Sequence, residues 1–532
     1  MSFRENAAQQ LTIDDSYSRL TDRNKRMLDR SWAKPFGDMV FPAIDESRFA
    51  CLYSDVASRP NTPVNVIVGA LILKEYFSLT DDGVVHALMF DVRWRYALHT
   101  TSFAEQPLSD KTLSRFRRRL LDHEEATGED LLKQCVTELA SVIADAMGID
   151  GSVRRMDSTM IESNVRDLSR AELIYECLAN ACRLLAKRLG DSCPDRFAAY
   201  ADRNHRNRFF FHDKDSTYEK RLETLFTDAE SLVREHSADL VGSEQLALLE
   251  RCMIEQTVVE GGKRRLREKE DGFKGSSMLQ SPYDPTATYR EKAGKKHHGY
   301  VANLEESCGK NGTVVTNYDY RQNNYSDSKF LKDFIADCES VEGGAKLVTD
   351  GGYDGEENVE AAAEKGIELI TTDLLGKDPN DVLADFEWSE DGRRLLSCAG
   401  GFAPYRCTHN EKSGQVTAKI DSYHCEGCPF AGECPAKRKG ITATIVASRK
   451  STRRARHKRR IGSKEFNKYY RLRNGAETIP SILKRKYRLD KLPRGLLRGK
   501  LFFGAKVAAL NFGKLLGFMR NTGNYAENPL LA

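Results

Sequence analysis

Strand-like and helical segments alternate from residue 154 to residue 372, and this alternation restricts the fold more than any other feature. Short apolar runs bounded by glycines predict strands, and apolar residues at helical spacing predict helices. The predicted order is strand, helical segment, two strands, helix, strand, helix and strand, over 154–163, 166–275, 281–322, 326–341, 345–350, 356–366 and 367–372. With the long helical segment set aside as an insertion, this order predicts an α/β fold around one mixed sheet.

The length of the chain and its changes in composition predict several parts. The 532 residues are 40% hydrophobic, which is enough for buried cores, and the net charge of +4 is small. The predicted parts are a helical N-terminal domain, a core in two pieces, a helical insertion, a β-rich insertion and a set of C-terminal helices. Their boundaries are 1–150, 151–165 with 281–376, 166–280, 377–460 and 461–532.

The N-terminal domain combines predicted helices with an arginine-rich segment. The residues from Pro63 to His99 predict two helices with LTDDGVV as the turn and N-cap between them, and a further helical region follows. The sequence SRFRRRL (114–120) lies in that further region. A domain for DNA binding or dimerisation fits this pattern, and an ordinary helical bundle with a basic surface fits it equally well.

Other features of the sequence argue against a membrane or secreted protein. A run of about 18 apolar residues is missing, so we expect no membrane span. The first segment lacks the apolar stretch of a signal peptide. Thirteen cysteines, an odd number spread over a long chain, fit a reducing compartment better than a disulfide framework. The sequence therefore predicts a cytoplasmic protein.

Three carboxylates in separate segments are candidates for a metal site. Asp157 lies within a predicted strand, Asp350 ends another strand and precedes two glycines, and Glu477 lies on a late helix. An acid at the carboxyl end of a strand points to the sheet edge where ligands bind. Hard cations such as Mg²⁺ take oxygen ligands, and two of them about 4 Å apart can assist both oxygens of a phosphoryl transfer. The alternative for either aspartate alone is a role in a turn or a helix cap.

The late helix carries four polar side chains on one predicted face. Tyr470, Arg473, Glu477 and Lys484 are offset by 0, 3, 7 and 14 residues, which places them along one stripe of a continuous helix. Such side chains suit a phosphate-lined groove, and a solvated basic helix is the alternative. Pro480 lies three residues after Glu477 and is expected to kink the helix, so the stripe is approximate.

The spacing Tyr-x2-Arg-x3-Glu-x6-Lys resembles the signature of bacterial insertion-sequence DDE transposases that have the YREK motif. The segments RMDSTMIES, SPYDPTATYREKAGKKHHGY and LVTDGGYDG, and the helical segment from Pro63, also resemble parts of that superfamily. The resemblance implies a ribonuclease-H-like mixed-sheet core. It also implies a catalytic triad of Asp157, Asp350 and Glu477 that holds two Mg²⁺ or Mn²⁺ ions.

The same resemblance implies a function on DNA. Tyr470, Arg473 and Lys484 correspond to contacts with DNA phosphates near the cleaved end. The implied reaction is cleavage at the ends of an insertion sequence and joining of the 3′-hydroxyl ends to target DNA, by a homodimer on double-stranded DNA at the nucleoid. Two alternatives stay open: a catalytically inactive, transposase-derived regulator that binds DNA, and a nuclease that cuts without joining.

A group of cysteines in the β-rich insertion predicts a structural zinc site. Cys425 and Cys428 form a C-x2-C pair, and Cys434 and the more distant Cys407 complete a set of four thiolates, with His424 adjacent. Four thiolates suit a closed tetrahedral Zn²⁺ site that would stabilise a small domain. Reduced cysteines without a metal are the alternative.

A basic run precedes the late helix and is expected to bind phosphates. Its residues SRKSTRRARHKRR span 448–460, and solvated linker charge is the alternative. The candidate DNA contacts in this run are Arg453, Arg454, Arg456, Lys458, Arg459 and Arg460. Trp388 lies in the same insertion, and by resemblance to relatives it would stack on a base flipped from the duplex. A buried core tryptophan is the alternative.

Overall fold

The structure is a computed structural model. It describes residues 1–6, 17–56, 58–100, 108–212, 217–292, 294–341 and 343–521.

The N-terminal part is helical, as predicted. Its helices are α1 (Asp22–Asp29), α2 (Ala33–Pro35), α3 (Val64–Tyr76), α4 (Asp81–Phe90), α5 (Val92–Ala97), α6 (Asp110–Thr127) and α7 (Leu131–Ala146). Nearly all of α3 is buried, because its sequence is apolar on every side. The predicted cap between α3 and α4 is confirmed, since the Thr80 side chain accepts a hydrogen bond from the Gly83 N–H.

A helical insertion with its own core follows the first strand, β1 (Val153–Glu162). Its helices are α8 (Arg170–Leu189), α9 (Asp195–Ala198), α10 (His205–Asn207), α11 (Tyr218–His236) and α12 (Glu244–Gln256). The prediction of helix up to residue 275 is wrong at its end, where β2 (Thr257–Glu260) and β3 (Lys263–Leu266) form a hairpin. Gly261 and Gly262 both have positive φ, which the type I′ form of a two-residue hairpin turn requires.

The central sheet is mixed and contains the predicted strands. After β1 its strands are β4 (Thr288–Lys292), β5 (Lys295–Gly309), β6 (Gly312–Gln322), β7 (Ala345–Thr349) and β8 (Ile367–Thr371). The order across the sheet is β6, β5, β1, β7 and β8, with β4 pairing the first part of β5 beside β6. The strands β1, β7 and β8 are parallel, and β5 is antiparallel to β1 and to β6. Helix α13 (Asp327–Asp337) precedes β7, and α14 (Glu356–Glu364) connects β7 to β8.

The second insertion is β-rich, as predicted, and ends in a helix. Its strands are β9 (Glu387–Trp388), β10 (Leu395–Ser397), β11 (Arg406–Asn410), β12 (Gln415–Asp421), β13 (Lys437–Lys439) and β14 (Thr442–Ala447). The four-stranded part has the order β11, β12, β14 and β13. The basic run then forms α15 (Arg449–Ile461), capped by reciprocal hydrogen bonds between Ser448 and Ser451.

The predicted late helix is divided into two. Helix α16 (Asn467–Ala476) ends one residue before Glu477, and α17 (Thr478–Tyr487) begins one residue after it. This division places Pro480 in the first turn of α17, where a backbone N–H has no partner within the helix. The stripe from Tyr470 to Lys484 is therefore not on one continuous helix.

The last helix, α18 (Leu496–Asn521), packs against α3, α7 and β6. Among the helices in the described ranges, α18 alone is long and apolar enough to cross a membrane. However, 72% of its apolar 18-residue stretch is buried inside the protein. A buried core helix can have the same length and composition. The core around α18 includes residues of the first 150 residues, of β5 and of β6, so it continues across the predicted boundary at residue 150.

The two faces of the sheet are covered by different helices. Met156 and Leu347 pack with α13 and α14 on one face. On the other face, Val348 and Ile370 pack with Phe466 beside α16, while α7 and α18 cover β6. Because side chains alternate along a strand, Arg155 and Asp157 face the side of α16, opposite to Met156.

A buried ion pair joins α18 to α3. Lys506 Nζ lies 2.5 Å from Glu75 Oε2, and the two side chains are 8% and 9% exposed. We expect Glu75→Gln to lower the free energy of unfolding by about 3 kcal/mol, because it leaves the Lys506 charge buried and unpaired. Urea unfolding followed by fluorescence measures this loss.

The double variant Glu75→Gln/Lys506→Met should recover part of the loss, because it removes both charges. Glu357→Gln is the matched control, since Glu357 and Lys332 form an exposed pair at 3.9 Å. A loss in the control equal to that of Glu75→Gln would contradict the prediction.

Candidate active site

Two of the predicted acids lie side by side at one edge of the sheet. In the parallel pairing of β1 and β7, Arg155 is opposite Val348. Two residues further along each strand this register reaches Asp157 and Asp350. Asp350 follows directly after β7, so Asp157 lies beside the end of that strand although it is in the middle of β1. The sheet thus brings these two acids together at the carboxyl end of its parallel strands.

Helix α16 is held over this edge by a buried arginine. Arg155 is 6% exposed; its Nε donates to Glu306 Oε2 at 2.5 Å, and its Nη1 donates to the carbonyl of Leu472 at 2.9 Å. A Cβ atom at Gly475 would overlap the Arg155 guanidinium. Gly475 is therefore the residue that lets the helix approach β1 closely enough for this contact.

A single guanidinium lies among all three predicted acids. Arg473 Nη2 is 4.0 Å from Asp157 Oδ2 and 3.7 Å from Asp350 Oδ2, and Nη1 donates a hydrogen bond to Glu477 Oε1. Asp157, Asp350 and Arg473 are 16%, 23% and 19% exposed, whereas Glu477 is 63% exposed. The structure thus brings the three acids to one cation, with Glu477 on the solvent side.

The two aspartates have raised pKa values. Burial raises the pKa of Asp157 to about 6; the Arg473 charge opposes this shift and the Asp350 charge adds to it. Burial also raises the pKa of Asp350, while the Gly352 N–H opposes the shift and the carboxylates of Asp327 and Asp373 increase it. Both shifts arise first from burial, and the neighbouring carboxylates add to them.

Two further aspartates at this edge were not among the sequence candidates. Asp327, at the start of α13, is 7% exposed and accepts a hydrogen bond from the Ser158 hydroxyl at 2.7 Å. Asp373, after β8, accepts one from the Gly351 N–H at 2.6 Å. Asp373 follows a predicted strand, as Asp350 does, so the same sequence criterion could have selected it as a candidate. Asp327 has the sequence pattern of an ordinary helix start, so only the tertiary fold places it here.

The other predicted members of the stripe are exposed. Tyr470 lies on α16 one turn before Arg473 and is 51% exposed. Lys484 is exposed on α17, after the break at Glu477. Their roles as phosphate contacts stay predictions.

The basic helix α15 is attached to the rest of the chain through its cations. Each of the six candidates has an acceptor within the protein. Arg453 pairs with Asp354, Arg454 with the carbonyls of Leu375 and Lys377, Arg456 with those of Ala384 and Phe386, Lys458 with Asp378, Arg459 with Asp381 and Asp385, and Arg460 with Glu368.

Four of these arginines also line a cavity of about 260 Å³ next to β8. An arginine has five N–H donors, so one internal acceptor leaves others for a phosphate. DNA binding by α15 stays a prediction, and its cations also have a structural role.

Cys434 has three other cysteine thiols in its neighbourhood, and the predicted ligand Cys407 is not one of them. Burial raises the pKa of the Cys434 thiol; a hydrogen bond from the Ala436 N–H opposes it, and the nearby thiols of Cys398, Cys425 and Cys428 add to it. The Cys407 thiol instead donates to the Leu395 carbonyl, at 3.6 Å. The turn that begins at Cys398 also lies against this group, since a Cβ at Gly400 would be 3.2 Å from Cys428 Sγ. Cys398 was not among the sequence candidates.

Trp388 is half-buried rather than free for stacking. It packs against the core of the β-rich insertion, and its Nε1 donates to Thr452 Oγ1 at 2.9 Å. This contact joins β9 to α15. A role on a flipped base stays a prediction.

Within the described ranges, no group of three or more His, Cys, Asp or Glu side chains is already gathered closely enough to hold a metal ion. At the acidic edge, Arg473 lies between the carboxylates.

Two family models match the chain. One, described as Transposase DDE domain, matches residues 397–516, and the other, described as Transposase domain (DUF772), matches residues 33–119. Both matches support a transposase family. The first includes Arg473, Glu477 and the cysteine group, whereas Asp157 and Asp350 lie outside both. No curated protein and no solved structure matches the chain. A transposase acts on DNA, so the matches also support DNA as the partner.

The raised pKa of Asp157 predicts a pH-dependent gain in stability from Asp157→Asn. The folded pKa of about 6 lies above the value of about 3.9 in an unfolded chain. This group's contribution to stability is therefore fully present below about pH 4 and is lost as the pH rises through about 6. Without metal, Asp157→Asn should be on the order of 2 kcal/mol more stable than wild type at pH 8, and equal to it near pH 4.

Urea unfolding in EDTA at both pH values measures the difference. Asp490→Asn, which removes an exposed carboxylate, is the matched control. An equal gain for Asp157→Asn at pH 4 and pH 8 would contradict the assignment.

Proposed function

We propose that this protein is a DDE transposase that cleaves the ends of an insertion sequence and joins them to target DNA. The observation that carries the proposal is the meeting of Asp157, Asp350 and Glu477 around Arg473 at the carboxyl edge of a mixed sheet. The strand order β6, β5, β1, β7 and β8 fits the ribonuclease-H-like core that the DDE domain match implies. The Tyr470, Arg473, Glu477 and Lys484 spacing supports the YREK group.

The donor chemistry of the site fits Mg²⁺ or Mn²⁺. Three carboxylates surround the Arg473 guanidinium, and those of Asp327 and Asp373 lie at the same edge of the sheet. Carboxylate oxygens are the ligands that these ions prefer. Two divalent ions would balance this excess of negative charge. Asp157, Asp350 and Glu477 would hold them, and when bound they supply charge stabilisation to a reacting phosphodiester.

The remaining residues have supporting roles in this proposal. Asp327 orients Ser158 beneath the site, and Asp373 holds the Gly351 backbone beside Asp350. Tyr470, Lys484 and the spare N–H groups of α15 bind DNA phosphates, which fixes the strand for in-line attack. Because an element has two ends, we propose a homodimer on double-stranded DNA, which places the protein at the nucleoid.

Removal of the carboxylate of Asp350 or of Glu477 should abolish DNA cleavage. With Mg²⁺ and a duplex that carries the element end, Asp350→Asn and Glu477→Gln should lower cleavage at least about 1000-fold, because each removes charge that holds the ions. Gel assays of cleavage and of joining to plasmid DNA measure both steps. Glu465→Gln is the matched control, because Glu465 is exposed near the start of α16.

The outcomes separate the three candidate functions. Cleavage that Asp350→Asn leaves unchanged would refute the triad. Wild-type protein that cuts without joining would be a nuclease, and one that binds end DNA without cutting would be a regulator.

We also propose a structural Zn²⁺ in the β-rich insertion, held by Cys398, Cys425, Cys428 and Cys434. Cys434 lies near the other three thiols, whereas Cys407 donates to the Leu395 carbonyl, and this supports the set over the one with Cys407. The N–H of Ala436 donates to Cys434, as N–H groups do to ligating sulfurs. The thiols would draw together around the ion, which would stabilise a small core.

The two serine variants Cys398→Ser and Cys407→Ser distinguish these sets. Purified wild-type protein and Cys407→Ser should contain about one zinc per chain, and Cys398→Ser should lose most of it, because three thiolates leave the tetrahedral site incomplete. Elemental analysis by mass spectrometry measures the content. Zinc-free wild-type protein would refute the site, and loss in Cys407→Ser alone would restore the set with Cys407.

A further inference from the structure

We propose that Arg473 is an internal cation that closes the acidic site of the metal-free chain, and that a divalent metal ion must displace it. The inference rests on the proposed function and adds a regulatory step at the same site. Arg473 would act as a positioning residue that decides when the acids are open to metal.

The first argument is the position of the guanidinium. Its two terminal nitrogens reach acids from three elements: Asp157 on β1, Asp350 after β7, and Glu477 at the junction of α16 and α17. A guanidinium keeps its charge at any pH that the folded protein survives. The site therefore has a permanent positive charge where the carboxylates converge.

The second argument is that Arg473 and a bound metal ion exclude each other from the site. A bound Mg²⁺ lies about 2.1 Å from each ligand oxygen and keeps a shell of waters. A guanidinium within 4.0 Å of Asp157 and of Asp350 occupies the space between their oxygens and repels a dication. Arg473 and a metal ion thus compete for the same carboxylates, so each weakens the binding of the other.

The third argument is that the side chain can move while its helix stays in place. The α16 backbone is held by the Arg155 contact at Leu472 and by the packing of Leu472 and Tyr469 around Phe466. The ion pairs of Arg473 in the described part of the chain are all with the three acids. Rotation of its long side chain is therefore enough to open the site. The released guanidinium then becomes available to a DNA phosphate.

The decisive measurement is the affinity of the DNA-free full-length protein for metal. Mg²⁺ and Mn²⁺ are titrated by calorimetry into wild type, Arg473→Ala, Arg473→Gln and Arg471→Ala. Arg471 is exposed on the same helix, so its variant removes an equal charge without opening the site. We expect Arg473→Ala and Arg473→Gln to bind metal at least about tenfold more tightly than wild type, since the competing cation is gone. Arg471→Ala should stay within about twofold of wild type.

Thermal melting gives an independent readout and reports whether the variants fold. Without metal, Arg473→Gln should melt below wild type, because the acids lose their counter-charge. Addition of MgCl₂ should raise its melting temperature by more than that of wild type, because tighter binding to the folded state stabilises it more.

An Asp350→Asn substitution in each background separates the two proposals. Binding that is equal in wild type and in both Arg473 variants, and lost on Asp350→Asn, would overturn the closing role of Arg473 and leave the metal site intact. Binding that Asp350→Asn does not alter, or no binding in any variant, would overturn the metal site itself and the inference with it.

Discussion

The buried guanidinium of Arg155 connects the sheet to the helix that completes the acidic edge. It donates to Glu306 on β5 and to the Leu472 carbonyl on α16, and Lys514 of α18 donates to the same Glu306. Burial alone would raise the pKa of Glu306, but the charges of Lys514 and Arg155 lower it. A buried pair of this kind is costly to break, because one lost partner leaves a charge without solvent. The positions of Arg473 and Glu477 thus depend on contacts far from them in sequence.

The acidic edge illustrates how a site can work against the stability of its own fold. Carboxylates gathered at one place repel each other, and burial makes the repulsion stronger. The chain partly offsets this with Arg473 and with N–H donors from the Gly351 and Gly352 backbone. Such conflicts between local rules and the fold are expected at functional sites.

Much of the fold could be predicted from periodicity and turn residues, because these are local signals. The strands that carry Asp157 and Asp350, the helical insertion and the cap at Thr80 are examples. The position of Asp157 at the sheet edge could not be predicted, since it depends on where the neighbouring strand β7 ends. The sequence predicts that Pro480 kinks the late helix. It does not predict that the helix is divided at Glu477.

The other features that the sequence did not predict have the same cause: contacts between residues far apart in the chain leave no local signal. The sequence predicts that the cations of α15 bind phosphates. In the structure, Asp381, Asp385 and backbone carbonyls also accept hydrogen bonds from them. Gly475 provides the space for Arg155, and a glycine within a helix gives no sign in the sequence of such a distant partner. Cys398 lies outside the C-x2-C pattern and joins the other thiols only through the turn at Gly400.

The contact between α18 and β6 limits how copies of this chain can assemble. The Asn511 amide donates to the Val315 carbonyl at 2.8 Å and accepts from its N–H at 2.9 Å, as a neighbouring strand would. An outer strand with free backbone groups can recruit a strand of another molecule. Here a side chain of the same molecule occupies those groups at Val315, beneath a helix. In the proposed homodimer on DNA, the two copies therefore have to meet through surfaces other than strand addition at this point of the sheet.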